Sequence, residues 1–212
     1  MKRRVEKVVI LGAGGHSKVI QNIIYRDYPE IEILGYIDRE RRKIELSYLG
    51  TDEDIANLNP KHFKLVMGIG QVDYGIDKKK LIDKLLSMGF EFLSIISKKS
   101  IIAKSSTIGC GTVVLDQVVI NVDSQIGDFC ILNTGCIVEH DCFVGNFVHL
   151  APRATLSGGV RIGNHCFLGA GSVVKHYVSI CDNVIVGAGG VVVKNIDVSG
   201  VYVGVPAKRV ND

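Results

Sequence analysis

The run Leu132-Asn133-Thr134-Gly135-Cys136-Ile137-Val138-Glu139-His140-Asp141-Cys142-Phe143-Val144 decides the fold. A large aliphatic residue stands at 132, 138 and 144, and a cysteine follows four places after each of the first two. The same register extends in both directions. Positions 102, 108, 114 and onward in steps of six to 198 are all Ile, Leu or Val. An unbroken series of that length would arise by chance on the order of one time in 10⁸. The fourth residue after each is small or β-branched, from Ser106 and Thr112 through Cys130, Ala154 and Cys166 to Ile196. Each unit reads as a short strand and a turn that point one large and one small side chain inward. A single unit cannot bury its own apolar side, so the units must stack into a parallel β-helix.

Before residue 100 the period of six is absent and strands alternate with helices. The pattern predicts strands over Val5–Leu11, Ile31–Ile37 and Phe63–Ile69. It predicts helices over Gly15–Tyr25, Asp52–Leu58 (capped by Thr51 or Asp52) and Lys78–Met88. Alternation of this kind argues for a small parallel α/β unit. We therefore expect a Rossmann-like α/β domain over residues 1–99 and an all-β parallel β-helix with a C-terminal cap over 100–212. The composition agrees with many short strands and turns: 212 residues, 24 Gly, 7% aromatic residues and no Trp. The net charge is +3, and no basic stripe interleaved with aromatics supports nucleic-acid binding. No run of 18 apolar residues suggests a membrane span, and the first residues lack the apolar core of a signal peptide. A cytoplasmic location is expected.

The repeat resembles the hexapeptide-repeat family, whose units wind into a left-handed β-helix of triangular section. The resemblance supplies the hand, since the general rule for parallel crossovers would give the opposite one. Three units then make a coil of 18 residues, and the units from Ile102 to Asp197 make just over five coils. The register also accounts for the six cysteines. Cys130, Cys136, Cys142 and Cys166 occupy the inward small-residue slot, Cys110 and Cys181 lie at turns, and no C-x-x-C pair occurs. Neither a zinc site nor a thiol nucleophile is expected.

Gly12-Ala13-Gly14-Gly15-His16-Ser17-Lys18 lies between the first strand and the first helix. Glycines there let backbone N–H groups approach a phosphate at a helix N-terminus, although Ser17 breaks the G-x-G-x-x-G pattern. Asp38 ends the second strand and can accept a hydrogen bond from a ribose or base. The string GAGGHSKV, then GYID, NTGCIVEHD and VGVPAK, resembles the PglD/NeuD-like sugar acetyltransferases over essentially the whole chain. The resemblance implies acetyl transfer from acetyl-CoA to a nucleotide-linked deoxysugar. It also implies that Gly14, Gly15, His16 and Asp38 contact the nucleotide-sugar and that Asn133 helps build the acceptor site. Many members carry an acidic residue after that Asp, where this chain has Arg39.

His140 falls at a corner, exposed, where an imidazole can take a proton from an attacking amine; Asp141 beside it can orient the ring. The resemblance places the catalytic base at this EHD. Gly158 lies one coil later, about 4.8 Å along the axis, followed by Gly159. An N–H there is suited to hold a thioester oxyanion. His149 is half a coil from His140 and points to another side. The two can share a site only across a subunit boundary. The resemblance implies a homotrimer with acetyl-CoA between subunits and His149 beside it. The turns holding Ala170 and Ala188 leave room for a pantetheine arm.

The reading is an acetyl-CoA-dependent N-acetyltransferase acting on a UDP-linked amino-deoxysugar without metal or acyl-enzyme. The alternatives are O-acetylation of a sialic-acid-type sugar, a non-catalytic nucleotide-sugar-binding scaffold, or a metalloenzyme needing three convergent histidines.

Overall fold

A computed structural model describes residues 6–210. Their contacts form two compact units. One holds the residues up to Gly70 together with Ile76–Ile95. The other holds Gln71–Gly75 together with the residues from Ile96 onward.

In the first unit β1 (Glu6–Leu11) lies between β2 (Ile31–Ile37) and β3 (Lys64–Met67), all parallel. The first expected strand began at Val5, which lies outside the described residues. Val8, Val9 and Ile10 are fully buried, as the central strand of a covered parallel sheet requires. Helix α1 (Gly15–Asp27) connects β1 to β2 and buries Ile20, Ile23 and Ile24, one face of a 3.6-residue period. Helix α2 (Ile76–Ser87) follows β3 and buries Ile82 and Leu85. The helix expected over Asp52–Leu58 is only a four-residue 3₁₀ turn, Asp54–Asn57. The Asp54 carboxylate folds back to accept from the Thr51 N–H at 2.7 Å and hydroxyl at 3.0 Å, so the capping chemistry closes a turn and not an α-helix. The third strand, Lys64–Met67, is shorter than the expected Phe63–Ile69, losing one residue before it and two after it, and Phe63 packs on Phe90 with ring centroids 5.8 Å apart.

The second unit is a left-handed parallel β-helix of about six turns with three sheets as its faces. The first face stacks strands at 113–114, 131–132, 149–150 and 167–168. The second stacks 119–120, 137–138, 155–156 and 173–174, and the third 125–126, 143–144 and 161–162. Each strand pairs with the strand eighteen residues on, as Ile131 does with Val113 and His149. Every sixth residue from Gly111 to Gly189 has a positive φ. Most of these corners are not glycine, and a non-glycine residue there costs roughly 1–2 kcal/mol. The corner is kept because it alone returns the chain to the next strand in register.

The large slot is buried from Val114 to Val192 without a break. Val198 departs from the expected register and is 53% exposed. The last coil is two residues short, since Ile185 pairs with Val201 and Ile180 with Ile196, so Val198 falls outside the inward position. The small slot is more than a packing position. Ser106, Thr112 and Ser124 donate to carbonyls fifteen residues on, at 2.6, 2.9 and 2.7 Å. Cys130, Cys142 and Cys166 do the same from sulfur at 3.1–3.2 Å. Thiols in this slot thus replace hydroxyls as weak inward donors.

Burial pushes the Cys136 and Cys166 thiols up to about 12. At pH near 8 their thiolate fraction is then about one in 10⁴. Brief alkylation of the native protein followed by peptide mass spectrometry is expected to mark exposed Cys110 and to leave Cys136 and Cys166 unmodified until the protein is denatured.

Candidate active site

Corner geometry builds the first cluster. Asp141 takes the positive-φ corner position (φ 59) between the second and third faces, which turns its carboxylate back toward the preceding residue. Its Oδ2 lies 2.8 Å from His140 Nδ1. A carboxylate only accepts, so Nδ1 carries a proton, and in the neutral ring the lone pair is on Nε2. The imidazole is 47% exposed. Its Nε2 edge lies over Gly158 on the next coil, where a Cβ would sit 2.5 Å from Nε2. Gly158 is therefore bare because the ring occupies the space of a side chain. The Gly159 N–H donates to the His140 carbonyl at 2.8 Å and the Tyr177 N–H to the Gly158 carbonyl at 3.0 Å, which holds the coils in step. The Gly158 N–H has no hydrogen-bond partner among the described residues. Tyr177 closes the far side, its ring against the α-carbon of Gly159. An imidazole, a carboxylate on its Nδ1 and a spare amide donor thus converge at one corner. Sequence reasoning did not single out Tyr177.

A second cluster lies elsewhere on the prism. Asn133 opens the corner between the first and second faces, and its Nδ2 is 3.2 Å from His149 Nε2. His149 Nδ1 meets the carbonyl of Gln71 in a short hydrogen bond. The His149 ring, expected to lie beside a cofactor, is 7% exposed and has both nitrogens turned onto its own chain. Gln71 had no sequence signal, being one polar residue in an aperiodic loop. Exposed Ala170 and Ala188 lie on the corner of Asn133, and a Cβ added at neighbouring Gly171 or Gly189 would touch nothing within 4 Å. They leave a bare track that an extended chain can follow. His140 and Gly158 are on one corner of the chain, and Asn133, Ala170 and Ala188 are on another. His62 contacts nearby Asn59, and His165 Nδ1 meets the carbonyl of Tyr74, 91 residues earlier in the chain. Among the described residues no group of three His, Cys, Asp or Glu is placed to hold a metal ion.

In the first unit Gly12 (φ 92) makes the tight turn after β1, and Gly14 caps α1 without any side-chain hydrogen bond. Gly14 and Gly15 face open space. His16 sits half-buried in the first helical turn. Asp38 Oδ2 accepts from the Ala13 N–H at 2.9 Å, so this carboxylate first of all braces the glycine turn. Arg42 stands 3.9 Å from the same oxygen and 2.7 Å from Glu40, while Arg39 is exposed.

A left-handed prism of six-residue units with a histidine held over a bare glycine is the architecture of the hexapeptide-repeat acyltransferases. Family models agree: the bacterial transferase hexapeptide matches residues 141–176, the hexapeptide repeat of succinyl-transferase 159–194, and the PglD N-terminal domain 7–85. A perosamine N-acetyltransferase from Caulobacter crescentus, solved with CoA and GDP-perosamine, is 36% identical. That match covers 98% of each chain with a TM-score of 0.90. The acetyltransferase domain of PglB from Neisseria gonorrhoeae is 30% identical, over 97% of this chain and 100% of that one, with a TM-score of 0.86. A further structure of that domain contains acetyl coenzyme A. The chain belongs to the PglD/NeuD-like sugar acetyltransferases of the hexapeptide-repeat superfamily, and it is an acetyl-CoA-dependent acyltransferase. No described helix is long and apolar enough to cross a membrane.

Gly158→Ala is expected to push the imidazole off its position, breaking the His140–Asp141 contact while leaving the coil intact. A crystal structure of the variant, with far-UV circular dichroism as the fold control, checks this.

Proposed function

We propose that the protein transfers the acetyl group of acetyl-CoA to the amino group of a nucleotide-linked amino-deoxysugar. The observation that carries this reading is the His140 Nε2 lone pair held over Gly158, beside an unpaired amide N–H. As the amine nitrogen bonds to the thioester carbon, its proton passes to Nε2 and the carbonyl electron pair moves to oxygen. The Gly158 N–H stabilises that oxyanion, and Asp141 stabilises the imidazolium. Collapse breaks the carbon–sulfur bond, and the leaving thiolate takes the proton from Nε2. No covalent enzyme intermediate is needed, in keeping with the burial of Cys130, Cys136, Cys142 and Cys166 in structural slots.

Amine acetylation is favoured over hydroxyl acetylation because the Caulobacter enzyme is named an N-acetyltransferase and was solved with an amino-sugar nucleotide. Its structures also include a variant with one histidine replaced by alanine, which fits a working histidine in such enzymes. The sequence reading expects a UDP-sugar, whereas that relative holds a GDP-sugar, so both belong in the assay. Gly14, Gly15, His16 and Asp38 would hold the nucleotide-sugar at the open glycine turn, with phosphates at the start of α1. The bare corner at Ala170 and Ala188 would take the pantetheine arm. Six cysteines, none of them in a disulfide among the described residues, accord with a cytoplasmic enzyme.

Because the base and the bare track sit on different corners, the complete site needs a second copy. The second face offers the surface for it. Its outward residues Ile101, Val119, Ile137, Thr155, Val173 and Val191 form a row that is apolar but for Thr155, with Ile101 68% exposed. A homotrimer packed through this face would complete the site.

Incubation with acetyl-CoA and either UDP- or GDP-linked 4-amino-deoxysugars is expected to yield a product one acetyl group heavier, with the new amide visible by NMR. Acetylation of only a sialic-acid-type hydroxyl would favour the runner-up reaction. His140→Ala is expected to lower kcat about 10²–10⁴-fold with acetyl-CoA binding retained. Unchanged turnover would sink the proposed mechanism. Ile137→Lys is expected to shift the sedimentation mass from trimer to monomer.

A further inference from the structure

Two rings, not one, stand over the glycine pair at the candidate site. The His140 imidazole comes from the preceding coil and fills the space of a side chain at Gly158. The Tyr177 ring comes from the following coil and does the same at Gly159, where a Cβ would fall 2.5 Å from Cδ1 and 2.6 Å from Cε1. The Gly158 N–H belongs to the coil that the two rings flank, and it has no hydrogen-bond partner among the described residues. His176 stands edge-on to the Tyr177 ring, with centroids 5.7 Å apart.

Burial does not explain the second ring. Tyr177 occupies a corner at φ 58, where a bulky side chain is a marked outlier. The corner requires the positive φ but no aromatic residue, since Asp141 and Gly159 hold the equivalent positions on the two preceding coils. Phe129 and Phe147, in such positions elsewhere, are buried and stack on each other at 5.4 Å. Tyr177 is 74% exposed. A large ring kept in a costly conformation without burial, beside a reacting centre, points to a function.

The mechanism proposed above fixes what can lie against this ring, and the inference rests on that mechanism. The tetrahedral carbon formed from the thioester carries four groups: the oxyanion at the Gly158 N–H, the amine nitrogen at His140 Nε2, the sulfur and the methyl. The first two occupy the Gly158 side of the corner. The sulfur continues into a long arm and needs an open path, which the bare track of a second copy offers and an aromatic ring does not. The methyl is the group left for the side that Tyr177 closes.

We propose that Tyr177 selects the acyl donor: its ring is the wall against which the acyl methyl rests, so that a two-carbon group fits and a longer one strikes the ring.

The wild-type protein is expected to use propionyl-CoA about 10–200-fold less efficiently in kcat/KM than acetyl-CoA, the discrimination that one methylene carries in a closed apolar pocket, and butyryl-CoA less efficiently still. Equal use of the three donors overturns the proposal even if no variant folds. Tyr177→Ala is expected to bring propionyl-CoA to within about threefold of acetyl-CoA. Tyr177→Phe keeps the ring and is expected to keep the wild-type ratio; a relaxed ratio there overturns the role of the ring. An unchanged ratio in Tyr177→Ala with KM raised for all three donors alike places the ring against the arm and overturns the wall. A loss of sedimentation mass with the ratio unchanged places the ring at a subunit boundary and does the same. Calorimetry with acetyl-CoA and butyryl-CoA in the absence of sugar reads the same preference as a ratio of dissociation constants. Failure of every sugar to be acetylated, or full turnover by His140→Ala, would strike the functional reading. That ratio, compared between wild type and Tyr177→Ala, would still decide the wall.

Discussion

The hydrogen-bond ladder between strands eighteen residues apart is the constraint on which the catalytic unit depends. A parallel ladder of two-residue strands has little stability in any one pair. It persists because pairs are repeated above and below, and because each six-residue unit buries one large and one small side chain against those of its neighbours. The corners answer to the ladder. Residues as unsuited to a positive φ as Phe129, Phe147 and Tyr177 adopt it, since a relaxed backbone at one corner would put the whole following coil out of register.

The same constraint makes the site. Stacking aligns residues eighteen apart, so His140 and Gly158 meet without any folded loop to bring them together. Asp141 reaches Nδ1 because it occupies the obligatory positive-φ position, which directs its carboxylate backwards along the corner. The geometry of this candidate site is the ordinary corner of the fold with three residues changed. The cost is that a straight prism cannot curve around a substrate. Its corners diverge, and groups needed at one edge lie on another.

The inward slots, the cysteines in them and the His140–Gly158 stack were legible because each follows from counting in sixes and eighteens. Gln71 was not. It belongs to a loop with no period, and its partners Phe147 and His149 are more than seventy residues away. The environment of His149 was likewise hidden: counting placed it on a different face from His140 but carried no sign that Gln71–Gly75 covers that face. Val198 kept the period yet left the core, because the last coil closes two residues early. Thr51 shows the local limit, where an expected cap met the Asp54 carboxylate and the chain closed one turn and stopped.

By itself the sequence determined the period, the identity of the inward side chains, the residues that stack, and the α/β character of the first unit. These are consequences of repetition and of hydrophobic alternation, which act between near neighbours or at fixed spacing. Only the tertiary structure decided that Gly158 is bare because the His140 ring fills its side-chain space, that thiols in the core act as donors, and that His149 faces inward upon Gln71 and Asn133. Those facts depend on side-chain direction and on contacts at irregular separation, which no periodicity encodes.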